Sequence, residues 1–326
     1  MTGCAQAGAT QQGQQVHQLF VIITLIAAPV FVIVEFLLVY FVLKYRKRDD
    51  EAPPQRFGST RSLVVFFLIP TIIVGVVYGF GEATLASVEK QDPNPQVNIR
   101  VEGFQWEWTF YYLNEGFFTS GKTVVKPALM VLPVETPIHF TLVSRDVIHS
   151  FFVPAFLFKR DVIPGRTNEF TITPTTLGTY HAQCAEFCGL HHAQMTFEVR
   201  VVTYPDYLAW VKAQRQAAQN VTCPVNGNAI TVTAKNIAWN TNCLAVSAGT
   251  PISLTVVNED AGIDHNFAIY DSPQLKQRFF ETGRFAGVAT NTAQVDALPP
   301  GKYYFQCDVH GPSMSGTFIV AKAGKA

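Results

Sequence analysis

The chain has 326 residues, a length suited to about two or three domains, and its 24 Lys and Arg balance 24 Asp and Glu. That neutrality, with no basic stripe, argues against nucleic acid as a partner. No glycine-rich phosphate loop and no Ser-His-Asp arrangement occurs, which removes the commonest nucleotide-dependent and hydrolytic readings.

In chain order, Met1-Thr2-Gly3-Cys4 has no apolar stretch before the cysteine and is not a signal peptide as written. It is similar to the tail of a bacterial lipoprotein cleavage box, so residues 1–15 are expected to be an outward-facing segment with Cys4 a candidate lipidation site. Residues 19–43 are apolar except for Thr24, Pro29 and Glu35, and residues 63–80 contain Pro70 and Gly75 but no charge. Both are long enough to cross about 30 Å of hydrocarbon. Lys44, Arg46, Lys47, Arg48, Arg56 and Arg61 lie between them and mark the cytoplasmic side. The expectation is a transmembrane hairpin over residues 16–90 in a bacterial plasma membrane, with both termini and the body on the periplasmic side. Glu35, deep in the first span, is a candidate for a proton path. A protonated or neighbour-paired structural role is the alternative.

From Val97 the pattern changes to short β-branched and aromatic runs separated by Pro and Gly, as at 138–143, 169–173 and 196–202. Such runs predict a β-sandwich or barrel. Residues 205–219 predict a helix with Tyr207, Leu208 and Val211 on one face, and residues 220–227 a linker. A second strand series follows at 229–233, 252–257, 265–270, 302–306 and 317–320. The predicted domains are therefore 91–219 and 228–326. Each has a strand carrying a first His, a turn, an aromatic strand entering a short loop and a last strand leaving it, a degenerate internal repeat. Cys223 and Cys243 are the cysteines left over in an oxidising compartment and suggest a disulfide, with two free thiols as the alternative.

The loops carry the chemistry. Residues 184–195 hold Cys184, Glu186, Cys188, His191, His192 and Met195, with His149 upstream. Residues 307–314 hold Cys307, His310 and Met314, with His265 upstream. The chain has 6 Cys and 4 Met, and three of those cysteines and two of those methionines fall inside these loops. Thiolate, imidazole and a weak thioether together select copper for electron transfer. Buried thiols and gap-filling Met explain a lone residue but not two full sets.

Asp146-Val147-Ile148-His149-Ser150, Asp161-Val162-Ile163-Pro164-Gly165-Arg166, the loop 184–195 and Gly103-Phe104-Gln105-Trp106-Glu107-Trp108 resemble subunit II of haem-copper (cytochrome c) oxidases over about residues 16–215. The resemblance implies a dinuclear copper centre, CuA. Cys184 and Cys188 would bridge the metals, and His149 and His192 would each cap one. Met195 and the Glu186 carbonyl would be weak outer ligands, and the Glu186 side chain would reach a magnesium ion at the border with the catalytic subunit. His191 would lie beside the centre or at the surface, and His17, His139 and His181 match no ligand position. Trp106 is the implied electron-input aromatic, whereas Trp108 suits a buried strand face equally well. The glutamate that the family often carries at the start of the second span is absent from Arg61-Ser62-Leu63-Val64-Val65. No dense acidic field to steer a basic cytochrome c is visible over 97–122.

Residues 228–326 resemble plastocyanin-like blue copper proteins. That resemblance implies one type 1 copper on His265, Cys307, His310 and Met314, with Asn266 bracing the loop. The fold class expected is thus a two-helix transmembrane hairpin followed by two all-β cupredoxin-like sandwiches. The function expected is the electron-input subunit of a proton-translocating terminal oxidase. An external donor (cytochrome c or a small blue copper protein) would reduce the type 1 copper, at an apolar patch around His310, Gly311 and Pro312. The electron would pass to CuA, with Trp106 a candidate link, and on to haem in catalytic subunit I, where O2 is reduced; no haem or oxygen site is expected on this chain. The same module in a nitric oxide reductase is the close alternative. A copper-binding or copper-delivery membrane lipoprotein is the alternative from another class.

Overall fold

The computed structural model describes residues 8–46, 58–121, 127–225, 227–273 and 275–322. Cys4 lies outside them, as do Lys47, Arg48 and Arg56. The chain divides into two compact units, one of residues 1–91 with 155–157 and one holding the rest.

The first unit is built on two helices, α1 (Gln11–Tyr45) and α2 (Thr60–Val88). Each starts at a hydroxyl cap that satisfies an orphan amide: Gly13 N donates to Thr10 Oγ1 at 2.9 Å and Ser62 N to Ser59 Oγ at 3.1 Å. Both helices are apolar around their whole circumference, and their most hydrophobic stretches bury nothing within the chain. A helix of that kind is stable only with lipid or other protein against it. Glu35 is on the exposed surface of α1.

The second unit contains two sandwiches. The first is built from β1 (Val97–Phe104), β2 (Glu107–Tyr112), β3 (Phe117–Ser120), β4 (Ala128–Pro133), β5 (Ile138–Ser144), β6 (His149–Val153), β7 (Phe158–Val162), β8 (Asn168–Ile172), β9 (Gly178–Cys184) and β10 (Thr196–Val202). Its sheets run β3-β2-β1-β5-β8 and β4-β10-β9-β6-β7. Trp108, Phe110, Phe140, Phe151, Phe170 and Phe197 fill the space between them, all under 2 % exposed. Rings that meet edge-on or tilted account for the aromatic alternation of these strands.

Helix α3 (Tyr204–Gln219) follows, with Thr203 Oγ1 accepting from Asp206 N at 3.3 Å. Its packed face differs from the expected one. Tyr207 and Val211 are buried, but Leu208 is 51 % exposed, and Trp210 takes its place against Tyr112 and Phe117. Positions i, i+3 and i+4 share a helix face, whereas i+1 lies about 100° around it.

The second sandwich comprises β11 (Ala229–Ala234), β12 (Cys243–Ser247), β13 (Ile252–Asn258), β14 (Asp264–His265), β15 (Ala268–Tyr270), β16 (Arg278–Glu281), β17 (Phe285–Ala286), β18 (Ala289–Val295), β19 (Gly301–Cys307) and β20 (Gly311–Ala321). Its sheets run β11-β13-β18 and β12-β20-β19-β15-β16, with β14 paired to β17. The core is an aliphatic cluster around Phe267, Phe305 and Phe318. Cys223 and Cys243 form a disulfide that clasps the segment after α3 to β12, closing a separation of 20 residues. Replacing Cys243 by serine is expected to lower stability by about 3 kcal/mol through released loop entropy. Urea unfolding of the variant against the parent chain measures it.

Strands β1 and β2 are buried on both faces. Val101, Trp108 and Phe110 point into the first core, yet Glu102, Glu107, Thr109 and Tyr111 on the opposite face are also 6 % exposed or less. The second sandwich supplies cover there, since the Phe118 and Tyr304 rings meet at 5.8 Å.

Candidate metal centres

Strand β9 ends at Cys184, and the turn after it brings Cys188, His192 and Met195 back over the end of β6, which starts at His149. Cys184 Sγ lies 3.9 Å from His149 Nδ1 and 3.9 Å from Cys188 Sγ. Cys188 Sγ is 3.4 Å from His192 Nδ1 and 3.8 Å from Met195 Sδ. The Glu186 carbonyl points at Cys184 Sγ from 3.3 Å, while its side chain is exposed on the outside of the loop. The set is paired: one thiol with His149, the other with His192. His191 packs instead against Trp106, ring centres 4.8 Å apart.

In the second sandwich, Cys307 Sγ lies 3.7 Å from His265 Nδ1 and 3.6 Å from His310 Nδ1. Met314 is fully buried beside Cys307. Three free cysteines, Cys184, Cys188 and Cys307, are described, and all are buried at these two points. The described residues contain two clusters of three or more potential ligands, and both are these.

The sets share a supporting architecture that the sequence showed only in part. His149 Nε2 is paired with Asp146 Oδ1 at 2.8 Å and His265 Nε2 with Asp260 Oδ2 at 3.0 Å. Each carboxylate thus turns the Nδ1 of its imidazole toward a cysteine sulfur. Asp146 also accepts from Gln105 N at 2.7 Å and Val147 N at 2.6 Å, and Asp260 from Asn236 N at 2.5 Å and Ile237 N at 2.9 Å. Asn236 and Ile237 both have positive φ, 54° and 56°. That conformation is costly for a β-branched residue, and the two amides it aims at Asp260 offset the strain. An acidic residue three or five positions before each His was the available sequence signal. Asp260 went unread because its role needs the 236–237 turn.

A second repeated device is an indole. Trp108 Nε1 donates to the Met195 carbonyl at 3.4 Å and Trp239 Nε1 to the Met314 carbonyl at 2.8 Å. Trp239 lies outside every loop motif, so sequence reading missed it. Asn266 and Asp308 bond reciprocally, Asn266 Nδ2 to Asp308 Oδ2 at 2.9 Å and Asp308 N to Asn266 Oδ1 at 2.7 Å. Trp106 Nε1 and Gln105 Nε2 both donate to the Cys188 carbonyl, at 3.0 and 2.8 Å.

The electrostatics fit a bound cation. Burial opposes ionisation of Cys184, but bonds from His149 and from backbone bring its thiol below the ordinary value. Cys188 is pushed up by burial and by the Cys184 charge beside it. Burial also raises the Cys307 thiol and lowers His310 to about 4, with His265 adding to the effect. Burial keeps His265 and His310 neutral, while against burial the bonds to Asp146 and Cys184 raise His149. Thiols held up by burial give up their protons to a bound cation, and the soft sulfur–nitrogen set fits copper.

The patch expected for an external donor is corrected here. Gly311 and Pro312 are buried and His310 is only half-exposed. A Cβ on Gly311 would come within 2.5 Å of Arg145 Nη1 of the first sandwich. Strongly exposed apolar residues stand elsewhere: Phe187 at 79 % and Leu190 at 81 % at the other loop, and Val288 at 75 % on the second sandwich.

Residues 97–202 match the family model for the cytochrome c oxidase subunit II periplasmic domain, and residues 206–320 that for a cupredoxin-like domain. The probable cytochrome c oxidase subunit 2 of Streptomyces avermitilis is 32 % identical over 227 residues, covering 58 % of this chain and 71 % of that one. The cytochrome c oxidase subunit 2 of Alkalihalophilus pseudofirmus is 32 % identical over 218 residues, 65 % of this chain and 62 % of that one. Among solved structures, the periplasmic domain of subunit II (CoxB) from Bradyrhizobium japonicum is 32 % identical, covering 38 % of this chain and 97 % of that chain, with a TM-score of 0.36. The chain, with two apolar helices ahead of two copper-type sandwiches, belongs to the cytochrome c oxidase subunit II family.

Proposed function

We propose that this chain is the electron-input subunit of a membrane terminal oxidase, taking electrons from an external donor through a type 1 copper and a dinuclear CuA centre to haem in a catalytic subunit that reduces O2. The observation that carries the reading is the pair of converging donor sets, each with buried cysteine sulfur and a carboxylate-held imidazole. Loaded copper at these sites supplies one-electron acceptance and release with little change in ligand position.

The chain's own residues provide the rest. Cys184 and Cys188 would be shared by two metals, with His149 and His192 as caps and Met195 and the Glu186 carbonyl outside them. Asp146 keeps His149 from rotating, and the indole of Trp108 holds the loop carbonyl at Met195, so the donor atoms are preorganised before metal arrives. His265, Cys307, His310 and Met314 would hold the single copper, braced by Asp260, Trp239 and the Asn266–Asp308 pair. The Glu186 carboxylate, exposed beside its inward carbonyl, is free to reach a magnesium ion shared with the catalytic subunit. The hairpin would anchor the copper sandwiches at the outer face of the membrane.

Metal analysis with electron paramagnetic resonance on the purified full chain tests this. About three coppers, giving one mixed-valence and one blue-copper signal, are expected from these ligand sets. A single labile copper without either signal would sink the reading.

A further inference from the structure

Arg145 and Asp146 are adjacent in the chain, and together they touch the surroundings of both donor sets. The Arg145 guanidinium pairs with Glu102 at 2.8 Å, and Glu102 also accepts from Tyr111 Oη at 3.0 Å. Its other side lies against Gly311, the residue after His310, where any Cβ would collide with it. Gly311 is thus the opening that lets the guanidinium reach the second sandwich. Asp146 holds His149 on the first sandwich. The same face continues through the Phe118–Tyr304 ring contact. The Lys302 ammonium bonds the Ala218 carbonyl and ties the second sandwich to the end of α3. Trp106, by contrast, is fixed to the Cys188 carbonyl and His191 on the first sandwich.

We propose that the Arg145–Asp146 dipeptide is the hand-over point between the two copper sites, carrying an electron from His310 to His149, and that the His310 face docked on it is closed to the external donor. The inference rests on the copper reading above and adds the route and the direction of the second sandwich. Arg145 is a positioning residue: it clamps the loop after His310 against the segment that orients His149. The step transfers one electron. With both sites loaded, Cu(I) held by the second set would become Cu(II), the mixed-valence pair held by the first would become fully reduced, and no bond or proton would change place. The donor must then dock on some other face of the second sandwich.

The test uses the full-length chain in detergent with two separate variants, Arg145→Gln and Phe118→Asp. The second lies away from both donor sets and serves if loss of the Glu102 partner prevents folding. Hydrogen exchange over residues 305–316 is measured on the copper-free chain. Electron equilibration between the sites is measured on the copper-loaded chain after flash reduction. Both variants are expected to speed exchange at least tenfold and to slow equilibration at least tenfold, with the blue and mixed-valence signals retained. Parental exchange and rates in Phe118→Asp would overturn the proposal. So would a tenfold slower rate in Trp106→Phe alongside a parental rate in Phe118→Asp, which moves the route to the indole. If the copper-loaded parent lacked a blue signal, the copper reading itself would fall, while the exchange data would still report whether the two faces meet.

Discussion

Replacing Cys307 by serine is expected to remove the blue absorption and about one third of the bound copper, leave the mixed-valence signal of CuA, and slow reduction of CuA by the physiological donor on the order of 100-fold. Cys307 is fully buried between Met314 and Ala234, and its thiol is raised by burial, so the thiolate forms there only against a cation. A serine hydroxyl fits the same space but does not ionise to a soft ligand, and His265 and His310 alone hold copper weakly. The rate effect comes from tethering. A donor domain on a short connector is present at an effective concentration on the order of millimolar, far above that of a diffusing protein. Stopped-flow reduction of the full complex reads the loss. An unchanged rate would mean that the second sandwich lies off the route. The same change at Cys188 contrasts with it: in the proposed pair this thiolate would serve two metals, so both coppers of the pair should go and the blue signal should stay.

The largest structural effect is expected from Gly316→Ala. Gly316 pairs with Phe305 across β20 and β19. A Cβ there would lie 2.3 Å from the Asn242 carbonyl oxygen, 2.6 Å from its carbonyl carbon and 2.6 Å from Phe305 Cε1. The Asn242 carbonyl cannot yield cheaply, because it accepts from Thr317 N at 2.9 Å and precedes the disulfide-bonded Cys243. Relief requires β20 to move away from the start of β12, which costs about 3 kcal/mol or more and strains the loop ending at Met314. Thermal unfolding should show the blue signal disappearing well below the parental temperature, with the CuA signal less affected. A shift corresponding to under about 1 kcal/mol would show that the contact is not as tight as described.

Much of this molecule is legible in its amino-acid order because the informative interactions are local. Cys184, Cys188, His192 and Met195 lie in one loop, as do Cys307, His310 and Met314, so their spacing already limits which donors can meet at one point. The apolar spans are equally plain, since a helix in lipid must be hydrophobic on every side. The face of α3 was read one residue wrong, with Leu208 exposed and Trp210 packed, because two helix faces of similar polarity are separated only by what lies beneath them.

What remained hidden depends on partners distant in sequence. Asp260 became informative only when the positive-φ turn at Asn236 and Ile237 brought two amides to it. Trp239 gained a role only through the Met314 carbonyl, 75 positions along the chain. The largest gap concerned the surface around His310. By composition Gly311 and Pro312 make an apolar docking patch, and nothing local says that Arg145 covers it. Sequence alone thus determined the types of donor residue, their grouping into two clusters and the apolar helices, all set by short-range spacing and hydrophobicity. Only the tertiary structure decided which face of one sandwich meets the other, because that contact rests on the half-buried Arg145, its Glu102 partner and a glycine gap contributed by segments far apart in the chain.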